Sequence, residues 1–167
     1  MTEPEPIKYC SYCGREIEER RFEGRSRPYC LSCDRFFFQD PKVAAAALIE
    51  HEGRVLLVKR RFNPEMGKWG LPAGFVDAGE DPKVALVREC REETGLNVRI
   101  LRLMDVIFDD EHARGANIVI LYQAEVEGGA ISAGDDAEEV AFFPPDQLPP
   151  IAFRATRKAL DLWLSPG

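Results

Sequence analysis

The sequence lacks the features that direct a protein to secretion, to a membrane or to general nucleic-acid binding. Residues 1–6 contain neither the basic nor the apolar segment of a signal peptide, and the longest apolar run, residues 43–49, is too short to span a bilayer. Lys and Arg number 22 against 29 Asp and Glu, which gives a net charge of −7. Without a signal peptide or a membrane-spanning run, we expect a cytoplasmic protein without membrane contact. Phosphate backbones reward clustered positive charge, so nucleic acid is a disfavoured partner.

Length and composition favour one globular domain with a small addition. The chain has 167 residues, of which 45% are hydrophobic and 31% are charged, as is typical of soluble proteins. It contains no internal repeat and no low-complexity tract. Hydrophobic periodicity is weak before the Asp40-Pro41 dipeptide and strong after it, so we predict two domains, residues 1–40 and residues 41–167.

Four of the five cysteines form two Cys-x-x-Cys pairs. Cys10 and Cys13 make the first pair, Cys30 and Cys33 make the second, and sixteen residues separate the pairs. This spacing is typical of a four-thiolate zinc site, and in a reducing cytosol it favours metal over disulfides. We predict a structural Zn²⁺ site, because four protein ligands leave no position open for catalysis. Cys90 is expected to be an inert buried thiol.

The segments after residue 41 predict a mixed α/β sheet with a helix on each face. Strands are predicted at 43–50, 54–60, 98–108, 118–126 and 140–143, and helices at 82–94 and 153–164. Residues 51–53 read as a hairpin turn between the first two strands. Residues 63–79 are rich in glycine and proline, so they are predicted to form a structured loop.

The helix predicted between Asp81 and Gly95 gathers three carboxylates on one side. At about 100° per residue, Glu89, Glu92 and Glu93 fall within an arc of about 100°. Carboxylates at these spacings repel one another, so their grouping favours a bound cation, and a hard ion such as Mg²⁺ prefers oxygen ligands. Taken alone, such a stretch is usually a solvated helix face.

The wider pattern decides between these interpretations. Gly74 is followed after five residues by Glu80 and after seven more by residues 88–96, Arg-Glu-Cys-Arg-Glu-Glu-Thr-Gly-Leu. This pattern resembles the Nudix box, G-x5-E-x7-R-E-U-x-E-E-x-G-U with U apolar, and Cys90 takes an apolar position. The resemblance implies a Nudix fold over residues 41–167, an α/β/α sandwich around a mixed sheet, preceded by the small zinc ribbon.

The resemblance also implies roles for individual residues. The expected ligands of Mg²⁺ or Mn²⁺ are Glu89, Glu93, Glu92 (directly or through water) and the carbonyl of Ala73. Glu80 is expected to be either a ligand or a structural partner, and Arg88 is expected to orient a carboxylate. In the family a later loop commonly supplies a further carboxylate, and alignment on Leu148-Pro149 assigns that role, as ligand or base, to Glu139.

A four-cysteine ribbon directly before a Nudix domain is similar to the zinc-ribbon Nudix hydrolases, which include NADH pyrophosphatases and FAD or ADP-ribose pyrophosphatases. The resemblance implies cleavage of ADP-ribose, FAD or a related compound to a nucleoside monophosphate and a phosphorylated remainder. NADH or NAD-capped RNA is the alternative, which is disfavoured because residues 108–112, Phe-Asp-Asp-Glu-His, replace the Ser-Gln-Pro-Trp-type motif. The proline that often follows the box in ADP-ribose-specific members is also missing.

A second alternative is a non-catalytic nucleotide-sensing or RNA-binding module, which the intact glutamates disfavour. Candidate substrate contacts are Arg60, Arg61 and Phe62, where arginine suits phosphate and phenylalanine suits a base. Charges at the end of a strand are commonly only solvated, so that alternative stays open. The C-terminal helix is expected to use Phe153, Leu160 and Trp163 in the core or on a dimer surface, which leaves a homodimer open. No role is predicted for His51 or His112.

Overall fold

The computed structural model describes residues 6–112 and 115–165. The chain divides into two compact units, Met1–Pro41 and Lys42–Gly167. Of the first predicted domain, residues 1–5 lie outside the described residues. Within the described ranges, no helix is long and apolar enough to cross a membrane.

The first unit contains a small antiparallel sheet. Its strands are β1 (Glu18–Phe22), β2 (Arg25–Cys30) and β3 (Arg35–Phe36), in the order β1-β2-β3. A two-residue turn joins β1 to β2, and both of its residues, Glu23 and Gly24, have positive φ. That geometry matches the twist of a tight hairpin. Tyr29 and Cys30 are buried in this small unit.

The second unit is built on a seven-stranded mixed sheet. Its elements are β4 (Val43–His51), β5 (Arg54–Arg60), β6 (Trp69–Gly70), β7 (Ala73–Phe75), α1 (Pro82–Thr94), β8 (Leu96–Phe108), β9 (Ile118–Gly129), β10 (Ala137–Phe143) and α2 (Arg154–Leu164). A short 3-10 helix, Pro145–Gln147, precedes α2. The strand order is β10-β5-β4-β9-β8, while β6 pairs with β5 and β7 pairs with β4. Only the β4–β9 pairing is parallel among the named strands of this sheet.

Alternate residues of the central strand β4 enter two hydrophobic cores. Ala46 and Leu48 belong to the core that includes α2, whereas Ala47 and Ile49 belong to the core that includes α1. Side chains of a strand alternate between faces, so the continuous apolar run of β4 reflects burial on both faces. The predicted mixed sheet with a helix on each face is confirmed. Cys90 is fully buried in the α1 core, and burial raises the pKa of its thiol.

Several strands differ in length from their predicted bounds. β8 and β9 extend to Leu96 and Gly129, which are paired with each other, and β10 begins at Ala137 opposite Arg60. The loop predicted at 63–79 contains β6, which pairs with the preceding strand β5, and β7, which pairs with β4. These extensions depend on partner strands rather than on local periodicity, so they were not predicted.

Candidate active site

Local signals fix both ends of α1 and therefore the orientation of its carboxylates. The Asp81 side chain accepts a hydrogen bond from the Lys83 N–H at 2.7 Å, and Pro82 occupies the first turn. Gly95 has a left-handed backbone with φ of 72°, and its N–H donates to the carbonyl of Arg91. Such caps satisfy backbone groups that a helix end leaves free. The helix matches its predicted bounds at both ends.

Arg88 joins three of the box glutamates. Its Nε and Nη2 each donate to one carboxylate oxygen of Glu80 at 3.0 Å, a bidentate arrangement. Its Nη1 donates to Glu89 at 2.7 Å and to Glu92 at 3.2 Å. The Arg88 guanidinium lowers the pKa of Glu80. Of the two roles predicted for Glu80, this pairing favours that of a structural partner. The orienting role predicted for Arg88 stays a prediction, and its contacts are compatible with it.

Glu93 is a buried carboxylate in an acidic environment. Its side chain is 4% exposed, and its Oε2 accepts a hydrogen bond from the Ala73 N–H at 3.0 Å. Burial first, and then the nearby Asp136, raise the pKa of Glu93 well above its usual value. Burial also raises the pKa of Glu89. A divalent cation would offset both the burial and the repulsion, so this set of oxygen ligands fits Mg²⁺ or Mn²⁺.

The loop between β9 and β10 closes against the C-terminal end of α1. The Ser132 N–H donates to the carbonyl of Thr94 at 2.9 Å, and the Gly134 N–H donates to the carbonyl of Glu93 at 3.1 Å. A Cβ at Gly134 would lie 2.5 Å from the carbonyl oxygen of Glu92. Only glycine therefore permits this close approach, which carries the following aspartates towards the helix.

Arg61 donates hydrogen bonds to backbone carbonyls of the same loop. Its Nη1 donates to the carbonyl of Asp135 at 3.1 Å, and its Nη2 donates to the carbonyl of Ala137 at 3.0 Å. Its backbone N–H donates to the carbonyl of Asp136 at 2.9 Å. Carboxylate oxygens of Asp135, Glu89 and Glu92 all lie within 4.8 Å of one another. No role is predicted from the sequence for Asp135 or Asp136, although the preceding glycine is a signal of close packing.

Glu139 lies on β10, outside the loop that carries Asp135 and Asp136. Its Oε1 accepts a hydrogen bond from Lys59 Nζ at 2.8 Å, and its side chain is 56% exposed. An irregularity in the pairing of β10 with β5 occurs between Ala137 and Glu139. The role predicted for Glu139 stays a prediction, while the structure brings Asp135 and Asp136 to the box glutamates.

A cavity of about 410 Å³ extends from these carboxylates across the second unit. Glu89, Glu93, Asp135 and Asp136 line one part of it. Further lining residues are Arg60, Asp109, His112, Phe153 and Thr156. Of the three predicted substrate contacts, Arg60 lines the cavity, Arg61 holds the loop described above, and Phe62 is 58% exposed. Sequence reasoning missed His112 and Phe153, because no local pattern indicates that they share a cavity.

The four ribbon cysteines form a separate cluster in the first unit. Their sulfur atoms all lie within 4.8 Å of one another, with Cys10 Sγ 3.9 Å from Cys33 Sγ and Cys13 Sγ 3.6 Å from Cys30 Sγ. The edge of a tetrahedron with Zn–S bonds of about 2.3 Å is about 3.8 Å, so the cluster fits Zn²⁺. Burial raises the pKa of Cys10, but hydrogen bonds from backbone N–H groups and from the Cys13 and Cys30 thiols together outweigh it and lower the pKa to about 7.

Comparison with known proteins identifies the family. The NUDIX domain model matches residues 40–164. The chain belongs to the Nudix family. It is 44% identical to an ADP-ribose pyrophosphatase of Methanocaldococcus jannaschii over 114 residues, which cover 68% of each chain. A solved Nudix hydrolase from Nitrosomonas europaea superposes with a TM-score of 0.84 at 33% identity, over 95% of this chain and 90% of that one.

The match to a third relative extends over the ribbon region of this chain. The NAD-capped RNA hydrolase NudC of Pseudomonas aeruginosa is 28% identical over 162 residues, which cover 95% of this chain and 56% of that protein. The chain thus spans about half the length of this relative. Together these matches confirm the predicted fold and the enzyme class, a Nudix pyrophosphatase.

Proposed function

We propose that this Nudix hydrolase cleaves the pyrophosphate of nucleoside-diphosphate-linked compounds, with ADP-ribose or FAD as preferred substrate. The products are a nucleoside monophosphate and a phosphorylated remainder. The observation that carries the proposal is that one and the same cavity reaches from the carboxylate cluster to a region lined by arginine and aromatic side chains. A substrate in which a pyrophosphate joins a nucleoside to another group offers its pyrophosphate to the carboxylates and one of its two outer moieties to the second region. The similarity to a relative described as an ADP-ribose pyrophosphatase supports this choice.

The carboxylates are the proposed holders of Mg²⁺ or Mn²⁺. They are Glu89, Glu92, Glu93 and Asp135, with the carbonyl of Ala73 as a further ligand. When bound, such a cation supplies positive charge to phosphoryl oxygens and lowers the pKa of a coordinated water. Arg88 keeps Glu89 and Glu92 in place through its hydrogen bonds. Structural Zn²⁺ in the ribbon and a cytoplasmic location belong to the same proposal.

The proton of the attacking water requires an acceptor. Asp136 lies beside Glu93 and raises its pKa, and both line the cavity. The aspartates of this loop are therefore our candidates for the base, and Glu139 is the alternative from sequence. The hydrogen bonds from Arg61 to the loop carbonyls keep the aspartates facing the cluster.

The test is a comparison of kcat/KM for ADP-ribose, FAD, NADH and ATP under one metal condition, with products identified by chromatography. We expect ADP-ribose or FAD to exceed ATP, because binding energy from the second moiety is realised in the transition state. We expect them to exceed NADH, because residues 108–112 replace the Ser-Gln-Pro-Trp-type motif. A loss of about 1.4 kcal/mol gives a tenfold difference. A lead of more than tenfold for NADH or ATP would contradict the substrate assignment and leave the family membership intact.

NADH or NAD-capped RNA is the second candidate. It is favoured by one observation, the match to NudC over 95% of this chain including the ribbon. A short NAD-capped oligonucleotide added to the same panel separates the two candidates. If the capped oligonucleotide were cleaved with a higher kcat/KM than free ADP-ribose, the second candidate would replace the first.

A further inference from the structure

The cavity has an aromatic end that the chemistry at the carboxylates does not use. The Cζ of Arg60 lies 4.8 Å from the ring centroid of Phe153, at the start of α2. The His112 ring centroid lies 5.6 Å from that of Phe153, with the two ring planes at 81°. All three residues line the cavity, as does the buried carboxylate of Asp109. Two rings, a guanidinium and a hydrogen-bond acceptor thus surround one volume.

A single stretch of chain connects this aromatic end to the carboxylates. Gly70 lies beside Phe153, since a Cβ at Gly70 would be 3.9 Å from Cδ2 of that ring. Ala73, three residues later, donates its N–H to Glu93. Three residues span at most about 10 Å when extended, which is comparable to the separation of a nucleobase from the pyrophosphate of the same nucleotide. One molecule therefore has the length to occupy both ends.

The charges at the aromatic end favour a ring over a phosphate group. Arg60 is a cation, but its Nε donates to the carbonyl of Pro64 at 2.8 Å. Asp109 is an anion within the same lining, and His112 Nε2 lies 3.9 Å from a carboxylate oxygen of Glu65. Arg154 pairs with Asp109 at 3.4 Å and Lys68 pairs with Glu65, so these nearby cations are already committed to carboxylates rather than to a phosphate group. A neutral planar ring instead finds aromatic faces, a guanidinium and an acceptor for its amino group.

We propose that Arg60, His112 and Phe153 form the binding site for the nucleobase of the substrate, with Asp109 accepting a hydrogen bond from the base or its ribose. This rests on the proposed function, in which the substrate is a nucleoside diphosphate joined to another group. The site makes the base a determinant of binding, separate from the carboxylates that act on the pyrophosphate.

The test compares His112→Ala and Phe153→Leu with two matched controls. His51→Ala removes a histidine that pairs with Phe142 at 5.8 Å outside the cavity lining, and Phe108→Leu shortens an exposed phenylalanine. The first readout is the Kd of AMP, the second is KM and kcat for ADP-ribose, and the third is KM for a ribosyl diphosphate ester without a base. Mn²⁺ binding, followed by electron paramagnetic resonance, reports on the carboxylates.

We expect each cavity variant to raise the Kd of AMP and the KM for ADP-ribose about tenfold. The kcat, the KM of the base-free ester and Mn²⁺ binding should stay unchanged, and both control variants should match the wild type. His112 is partly exposed, so His112→Ala keeps the test available if Phe153→Leu folds poorly.

The outcomes separate this inference from the function on which it rests. Unchanged AMP affinity in His112→Ala and Phe153→Leu would overturn the base site even if ADP-ribose were hydrolysed. An equal rise in KM for the base-free ester would also overturn it, since the residues would then act on the shared diphosphate or ribose. Weakened AMP binding by these variants, in a protein whose wild type hydrolyses none of the diphosphates, would support the base site and refute the proposed function.

Discussion

The carboxyl group of Glu89 occupies the space that a side chain at Gly74 would fill. A Cβ at Gly74 would lie 1.9 Å from Cδ of Glu89 and 2.1 Å from its Oε1. Gly74 lies in β7, which pairs with β4, and its backbone is therefore held by the sheet. The glycine that begins the box and the glutamate fifteen positions later in α1 are thus a steric pair.

Gly74→Ala should displace the Glu89 carboxylate and reduce turnover. A misplacement of about 1 Å in a catalytic group can reduce the rate about 100-fold, and we expect a loss of this size with weaker Mn²⁺ binding. The matched control is Gly128→Ala, because a Cβ at Gly128 meets no atom within 4 Å. Steady-state kinetics and circular dichroism of both variants check the prediction. Wild-type turnover in a folded Gly74→Ala protein would contradict it.

Glu93→Gln should change how the stability of the metal-free protein depends on pH. Burial and Asp136 raise the folded-state pKa of Glu93, so its protonation stabilises the fold below the unfolded pKa of about 4.3. That stabilisation is lost as pH rises through the raised pKa, at about 1.4 kcal/mol for each pH unit that separates the folded pKa from the unfolded one. Glutamine does not titrate and still accepts the Ala73 hydrogen bond. The variant should therefore lose less stability than the wild type as pH rises.

Denaturant unfolding of both proteins in divalent-free buffer, from pH 5 upwards, measures this difference. Adding Mg²⁺ should stabilise the wild type more than Glu93→Gln, because a ligand stabilises the state that binds it. The variant should also lose turnover by about 100-fold or more. Parallel pH profiles for the two proteins would show that Glu93 does not titrate as the structure implies.

Some elements of the site could be predicted from the sequence, and others could not. Asp81 and Gly95 allowed α1 to be predicted at both ends, because helix caps are local. The box glutamates share that helix, so their proximity also follows from spacing. Asp135 joins Glu89 and Glu92 only through loop packing and the Arg61 contacts, and these depend on tertiary structure.

The acidic loop offers a direct comparison between structure and sequence. Asp135→Asn and Asp136→Asn remove charges that face the cavity, whereas Glu139→Gln removes a charge that is paired with Lys59 near the surface. We expect the more damaging of the two aspartate variants to lower kcat at least tenfold more than Glu139→Gln, because a general base contributes about 100- to 10,000-fold to the rate. The measurement is kcat for ADP-ribose against pH. A larger loss in Glu139→Gln would restore the assignment made from sequence.

We expect the ribbon cysteines to hold a metal ion that does not exchange with the catalytic metal ion. The purified protein should contain one Zn²⁺ per chain by elemental analysis, since the sulfur separations of 3.6 and 3.9 Å match a tetrahedral site. Cys13→Ser should release the zinc and raise hydrogen exchange in residues 9–40, because so small a unit depends on the metal for its stability. Cys90→Ser is the control, since Cys90 is buried against the sheet of the other unit and its loss should leave the zinc content unchanged. A zinc-free wild type from reducing cells, or full zinc content in Cys13→Ser, would show that the four thiols are not a zinc site.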